Sequence, residues 1–273
     1  MRLRLTAVAA VLAIAAVGVG VGCGGDDDDN GGGTTAAEGQ LNTIESGKLI
    51  VGSDIPYAPF ELGREPNYTG LDIDLVNEIG KRLGLTVEVQ DTSFDTIFRD
   101  LAQGKFDMVA SSTTITPERA KTVSFSDPYY LADQSLMVKK GSDIQTVDDV
   151  AGKVVGAQKG TTGADYAEEQ TDAASVRTYG EIDDAFNALE AGQVEAVIND
   201  CPISKYAERS KPNLVVIQVL TTGENYGFAF QKDATDLREA VNGALADMTN
   251  DGTYDQLVQK WVGTDPCKSI TSG

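Results

Sequence analysis

From Lys48 onward, short apolar runs alternate with stretches whose apolar residues recur every three or four positions. The first run, KLIVGS over Lys48–Ser53, reads as a buried strand. Leu75, Val76, Ile79 and Leu83 share one face of a helix expected over Asp72–Leu83, with Gly84 as its C-cap residue. Leu85, Val87 and Val89 then alternate with polar neighbours, the period of a strand. A helix over about 95–103, closed by Gly104, and a strand over Asp107–Ser111 complete this first series.

Beyond Tyr130 the rhythm restarts. Strands are expected over Val154–Gln158, Ser175–Tyr179 and Val194–Asn199, and helices within Gly160–Gln170 and over Glu181–Ala191. The apolar segment NYGFAF (Asn225–Phe230) precedes two closing helices, over Thr235–Asn250 and Thr253–Trp261. Alternation of this kind specifies α/β architecture, a mostly parallel sheet with helices on its faces. No sequence repeat relates the two halves.

Ligands of open α/β sheets bind beyond the carboxyl ends of strands. The residues that follow the expected strands are Asp54, Phe94, Ser111 to Thr114, Gln158 to Thr162, and Asn199 with Asp200. Most of the polar candidates in the chain fall at these ends. Arg119 stands five residues after Thr114, in the Ser/Thr-rich turn that follows the strand FDMVA. Its planar fork matches a carboxylate bidentately. The turn GTTG (Gly160–Gly163) opens a helix, so its free amides suit the second carboxylate oxygen. Asp200 suits an ammonium, with Thr114 and the Ser112 carbonyl completing its hydrogen bonds. A free α-amino acid demands this pairing of charges, since burying either one alone costs several kcal/mol or more. Each residue also has a plainer use: a surface ion pair for Arg119, a helix N-cap ahead of Pro202 for Asp200, ordinary capping for Thr161 and Thr162.

Charge narrows the classes. The chain of 273 residues is 41% apolar, enough for one large or two medium cores, and has a formal net charge of −20. No basic stripe exists to neutralise phosphates, so nucleic acid is excluded as a partner. There is no histidine. Ser-His-Asp, Cys-His and His-zinc chemistry are therefore excluded, and no catalytic set, metal or cofactor is expected.

The N-terminus reads as an address. Arg2 and Arg4 precede an apolar, small-residue run over Leu5–Val21, followed by Gly22 and Cys23. This is the pattern of a signal peptide, residues 1–22, with Cys23 where a bacterial lipoprotein is cleaved and lipidated. VGVGC departs from the usual lipidation motif at Gly20, and an uncleaved membrane helix is the other reading. Residues 23–42 are expected to be the lipidated cysteine and a disordered tether, since GGDDDDNGGGTTAAEG has no apolar face. Cys201 and Cys267 remain; in an exported chain an even pair suggests a disulfide, against two separate buried thiols.

The stretch GKFDMVASSTTITPERAKTVSFSDPYY, Gly104 to Tyr130, closely resembles the first-lobe signature of the periplasmic polar amino-acid-binding proteins, bacterial solute-binding protein family 3. The closing run NGALADMTNDGTYDQLVQKWVGTDP resembles their C-terminal signature. The resemblance implies a two-lobed, type II Venus-flytrap fold, each lobe a mixed, mostly parallel sheet flanked by helices. Lobe 1 would take residues 43–133 and 225–273 and lobe 2 residues 134–224, with crossing strands near Ala132–Val138 and Leu220–Tyr226 as the hinge. Arg119, Ser112, Thr114, Thr161, Thr162 and Asp200 match contact residues of the family's motif. SDIPYAPFE (Ser53–Glu61) resembles its first-strand turn, which gives Asp54 and Tyr57 as ligand-facing; Phe94 falls at its second aromatic wall, and Gln158 and Asn199 at positions that tune side-chain choice. Tyr57 and Phe94 have core packing as their plainer role. Some relatives tie a second-lobe segment to the C-terminal tail, as a Cys201–Cys267 bridge would.

A carboxylate beside two aromatic faces favours a cation or an amide. The resemblance therefore implies a monomeric, lipid-anchored receptor at the outer face of the cytoplasmic membrane or in the periplasm. It would hand arginine, lysine, ornithine or glutamine to an ABC permease. Two other functions fit the same fold: a periplasmic cyclohexadienyl or arogenate dehydratase using Asp54 or Glu61 as acid, and a sensory amino-acid-binding module.

Overall fold

The computed structural model describes residues 41–264 and Cys267. The signal segment, Cys23 and nearly all of the tether lie outside them. In chain order the elements begin with β1 (Lys48–Ser53), a hairpin of β2 (Leu62–Arg64) and β3 (Asn67–Thr69), α1 (Leu71–Leu83) and β4 (Thr86–Asp91). There follow α2 (Phe94–Ala102), β5 (Met108–Val109), β6 (Ser124–Phe125), β7 (Tyr130–Leu131) and β8 (Gln134–Lys139). Next come β9 (Val154–Gln158), α3 (Thr162–Glu169), β10 (Ser175–Tyr179), α4 (Ile182–Ala191) and β11 (Ala196–Asp200). The rest are α5 (Cys201–Ala207), β12 (Leu214–Leu220), β13 (Asn225–Tyr226), β14 (Ala229–Phe230), α6 (Thr235–Asn250) and α7 (Thr253–Trp261).

Two five-stranded sheets result, ordered β4-β1-β5-β14-β6 and β10-β9-β11-β8-β12. In the first, β4, β1 and β5 are parallel, and β14 runs antiparallel to both β5 and β6. In the second, β10, β9 and β11 are parallel, while β8 runs antiparallel to β11 and β12. Each sheet is thus mixed, as the resemblance implied, and the fold is α/β with two lobes. In each sheet the antiparallel strand, β8 or β14, is the first that the chain forms there after crossing.

Helix α1 shows how the sequence sets local structure. Its buried face carries Leu71, Leu75, Val76 and Ile79, each worth about 1.5–3 kcal/mol when fully removed from water. Asp72 and Asp74 in the first turn and Lys81 and Arg82 in the last oppose the helix dipole correctly. Gly84 ends it in the left-handed region at φ 69°, where its amide reaches back to the Gly80 and Lys81 carbonyls. In the second sheet, alternation distributes side chains between two helical layers. Met137 and Val197 pack in one core with Phe186 and Leu189 of α4; Leu136 and Ile198 pack in another with Ala167 of α3. Burial on both faces explains why these strands are continuously apolar rather than alternating.

The chain crosses between the sheets twice, and the crossings run side by side. β7 pairs antiparallel with β13, placing Tyr130 opposite Tyr226 and Leu131 opposite Asn225. Just beyond, Ala132 N donates to Glu224 O (2.9 Å) and Gly223 N to Asp133 Oδ1 (2.7 Å). Cys201, the first residue of α5, is bonded to Cys267, with Cα atoms 6.1 Å apart. The tail is therefore covalently tied to the second sheet's side of the molecule.

Candidate functional site

The parallel strands of both sheets end at one cleft. Its lining comprises Asp54, Tyr57, Phe94, Ser111, Ser112, Thr114 and Arg119 from the first sheet's side. Gln158, Thr161, Thr162 and Asp200 line it from the second. Ten of the eleven proposed ligand-binding residues are therefore gathered on one surface. The eleventh, Asn199, is buried beside it, and its Oδ1 accepts from Tyr57 Oη at 3.0 Å rather than lining the cavity. Adjacent strand residues point to opposite faces, so Asn199 and Asp200 cannot serve the same wall in the same way.

Local structure fixes each group. Ser112 holds a left-handed conformation at φ 47°, uncommon for a residue with a side chain. Its amide donates to Asp72 Oδ2 (2.9 Å) and its hydroxyl to Glu61 Oε1 (3.1 Å), which hold that turn in place. Behind it, burial and the neighbouring Asp72 push the Glu61 carboxyl well up, which favours its protonated form beside Asp72. Asp72, also pushed up by burial, accepts from Tyr129 Oη at 2.7 Å as well. Thr161 caps α3, its hydroxyl accepting from Ala164 N (3.2 Å). That helix start lies against the sheet because Gly163 lacks a Cβ, which would stand 2.9 Å from Gln134 Oε1 and 3.0 Å from the Ile198 carbonyl.

Arg119 is held from both sides of the cleft. Nη1 donates to the Thr114 carbonyl (2.9 Å) and Nη2 to the Gly160 carbonyl (3.0 Å). Its guanidinium carbon lies 5.3 Å from the Phe94 ring centroid and 4.8 Å from that of Phe98, within cation–π range. Burial lowers its pKa, against the pull of Asp200, Asp165 and Glu224. It remains charged at any physiological pH.

Two buried acids share the cavity with it. Asp200 Oδ2 accepts from the hydroxyls of Tyr57 (2.8 Å) and Tyr226, and Oδ1 accepts from Gln134 Nε2. Burial, then the charge of Glu224, raise its pKa to about 6. Asp54 takes its backbone position from Ser111, whose Oγ accepts from Asp54 N (2.9 Å), and its Oδ2 accepts from Gln158 Nε2 (2.6 Å). Burial, then Glu181, raise its pKa to about 7. Both acids are destabilised as anions, and a cation placed beside either would relieve that cost.

Many of these hydrogen bonds run from wall to wall. Tyr57 meets Asp200, Gln158 meets Asp54, Arg119 meets Gly160, and at the rim Lys159 pairs with Asp95 at 2.9 Å. The walls bound a space of about 280 Å³, open mouth included. Here the two walls are hydrogen-bonded directly to each other.

Four further residues belong to this constellation: Ser111, Gln134, Tyr226 and Glu224. Ser111 falls at an expected strand end, though it was not assigned a contact. The other three come from the crossing segments, where neither strand ends nor periodicity mark them. Among the described residues no cluster of His, Cys, Asp and Glu is arranged to hold a metal ion. No described helix is long and apolar enough to cross a membrane.

Comparison with known proteins places this geometry. The L-cystine-binding protein TcyJ of Escherichia coli (strain K12) is 32% identical over 238 residues, 85% of this chain and 90% of that protein. The arginine-binding extracellular protein ArtP of Bacillus subtilis (strain 168) is 32% identical over 234 residues, 83% of this chain and 91% of that one. Among solved structures, an ancestral arginine-binding protein bound to glutamine superimposes with a TM-score of 0.77 at 38% identity, covering 80% of this chain and 99% of that one. The model of the bacterial extracellular solute-binding proteins, family 3, matches residues 49–264. With that match spanning both sheets and the cleft between them, the chain belongs to the family 3 extracellular solute-binding proteins, the substrate-binding components of amino-acid ABC importers.

Proposed function

We propose that the cleft captures a polar L-amino acid with a basic side chain, arginine, lysine or ornithine, with glutamine next, and delivers it to an ABC permease. The observation that carries this reading is the presence of one guanidinium, Arg119, and one buried acid, Asp200, on opposite walls of a single cavity. The α-carboxylate pairs with Arg119 and with the free amides at the start of α3. The α-ammonium pairs with Asp200, Thr114 and the Ser112 carbonyl. At the other end, Asp54 between Tyr57 and Phe94 suits a side-chain cation, and the arginine- and glutamine-binding relatives are consistent with that choice. Asp54 opposes an acidic side chain.

Neither wall neutralises both charges, so the ligand favours the closed form through contacts that the open form lacks. A micromolar Kd needs roughly −8 kcal/mol, within reach of two charge-assisted pairs and aromatic packing. Delivery then takes place at the outer face of the cytoplasmic membrane, where a lipid on Cys23 and the tether of residues 23–42 hold the receptor. No catalytic step is assigned. Glu61 sits behind Ser112 in a proton-sharing pair and does not line the cavity, and Asp54 is spoken for by the ligand's cation.

A thermal-shift screen against the twenty common amino acids and ornithine tests the reading. Melting temperature should rise most with arginine, lysine or ornithine, less with glutamine, and not with glutamate. No rise with any amino acid would remove the proposal; a largest rise with glutamate or aspartate would overturn the role of Asp54.

A further inference from the structure

One carboxylate at the cleft belongs to neither wall. Glu224 lies in the segment that returns the chain to the first sheet, its backbone carbonyl bonded to Ala132 N at 2.9 Å. Its Oε2 accepts from Thr114 Oγ1 of the first wall (3.0 Å) and from Thr162 Oγ1 of the second (2.6 Å). Gln134 Nε2 adds a third bond at 3.2 Å, and that same amide reaches Asp200 Oδ1.

A hydroxyl has one proton and a carboxylate has none to give back. Once Thr114 and Thr162 donate to Glu224, only lone pairs remain on their oxygens to face a ligand. Both threonines line the cavity. The Gln134 amide directs its protons at Glu224, Asp200 and the Thr162 hydroxyl, so it offers the ligand no donor in their place. This end of the cleft therefore presents acceptors and negative charge together.

We infer that Glu224 is a positioning residue that sets what the amino-group end of the site accepts. It fixes the Thr114 and Thr162 hydroxyls as acceptors, so an α-ammonium is taken and the same acid without its amino group is refused. The inference rests on the amino-acid reading above and adds to it a residue outside both walls. Glu224→Gln keeps the volume but puts an N–H beside the threonines, which lets their hydroxyls turn; Glu224→Ala removes the acceptor.

Calorimetry at pH 7.5 with two ligand pairs reads the effect: L-arginine against 5-guanidinopentanoate, and L-glutamine against glutaramate. Wild type should prefer the amino acid of whichever pair it binds. In both variants that preference should fall about 10-fold or more, the scale of one charge-assisted hydrogen bond. The loss should come from the amino acid, with affinity for the amino-free acid changed by no more than about twofold. Thermal melts of the ligand-free variants show whether the fold is retained. An unchanged preference in Glu224→Gln, whether both affinities fall together or neither moves, overturns the inference alone and leaves Glu224 a simple bridge between walls. Absence of binding by wild type to either amino acid would overturn the basic-or-glutamine reading of the ligand and this inference with it.

Discussion

Both walls of the cleft carry hydroxyls and an acid, but only the first adds aromatic rings and a cation, and only the second adds a side-chain amide and a helix start. Phe94 and Tyr57 stand with Arg119 on one side; Gln158, Thr161, Thr162 and Asp200 stand on the other. The difference follows from how each is made. The first wall takes its chemistry from side chains that follow β1, β4 and β5, stacked on one another and buttressed by the Glu61–Asp72 pair. The second relies on the exposed amides of a helix start and on one acid, Asp200, whose oxygens are already occupied by Tyr57, Tyr226 and Gln134. The first wall can therefore hold a side chain and a carboxylate by itself, while the second completes a site only on contact with the first.

The first wall loses most when Arg119 is removed. Arg119→Ala should reduce amino-acid affinity at least about 100-fold by calorimetry, since the α-carboxylate loses its one cationic partner and is left desolvated. Affinity within about threefold of wild type would contradict the assignment of the carboxylate to the first wall. Asp54→Asn sharpens the division within that wall. It should weaken L-arginine about 10-fold or more and L-glutamine by less than about threefold, as a charge is removed where an amide has no need of one. Equal losses would end the preference for a cation.

Acidity offers a third probe, gentler than either substitution. Asp54 and Asp200 are raised to about 7 and about 6. Unfolded carboxylates titrate near 4, so between pH 4 and 7 the folded, ligand-free protein holds protons that the unfolded chain has lost. Its stability from these groups falls as pH rises through that window and levels off above about 7. A bound cation favours the ionised acids and cancels the penalty. The rise in melting temperature caused by L-arginine should thus be greater at pH 7.5 than at pH 5.0 and should lose most of that difference in Asp54→Asn. A greater rise at pH 5.0 would contradict the placement of the ligand's cation beside Asp54.

The smallest effect on binding is expected from the bridge between α5 and the tail. Replacing Cys201 and Cys267 together by serine should lower stability by about 2–4 kcal/mol, seen as a lower melting temperature. Affinity for L-arginine should stay within about threefold, because neither sulfur lines the cavity. A lost site with an unchanged melting temperature would reverse that ranking.

Much of this site was legible before any coordinates. The rule that ligands lie beyond strand ends found Asp54, Phe94, Ser111 to Thr114, Gln158 to Thr162 and Asp200, because apolar runs in parallel sheets announce their own ends. Residues in the crossovers carry no such mark. Gln134 opens β8 and Glu224 precedes β13, and neither periodicity nor a neighbouring turn signals that a crossover passes beside the ligand. Tyr226 sits in an apolar run that reads as core, and it is fully buried; only its hydroxyl reaches Asp200. The hairpin of β2 and β3 was missed for a different reason. Three-residue strands with Gly63 and Pro66 near the turn show no alternation long enough to count. Asn199 stands at a strand end as well, and the two-residue period of the strand turns its amide to the Tyr57 hydroxyl beside the cavity instead of into its lining.

In the proposed complex one small molecule has its opposite charges neutralised from facing walls. A crystal structure of the protein with the ligand that gives the largest thermal shift tests it most directly. The α-carboxylate should lie about 3 Å from the Arg119 guanidinium and the α-ammonium about 3 Å from Asp200, with both walls closed on the ligand. A ligand bound with Arg119 or Asp200 turned to solvent, or bound outside this cleft, would contradict it.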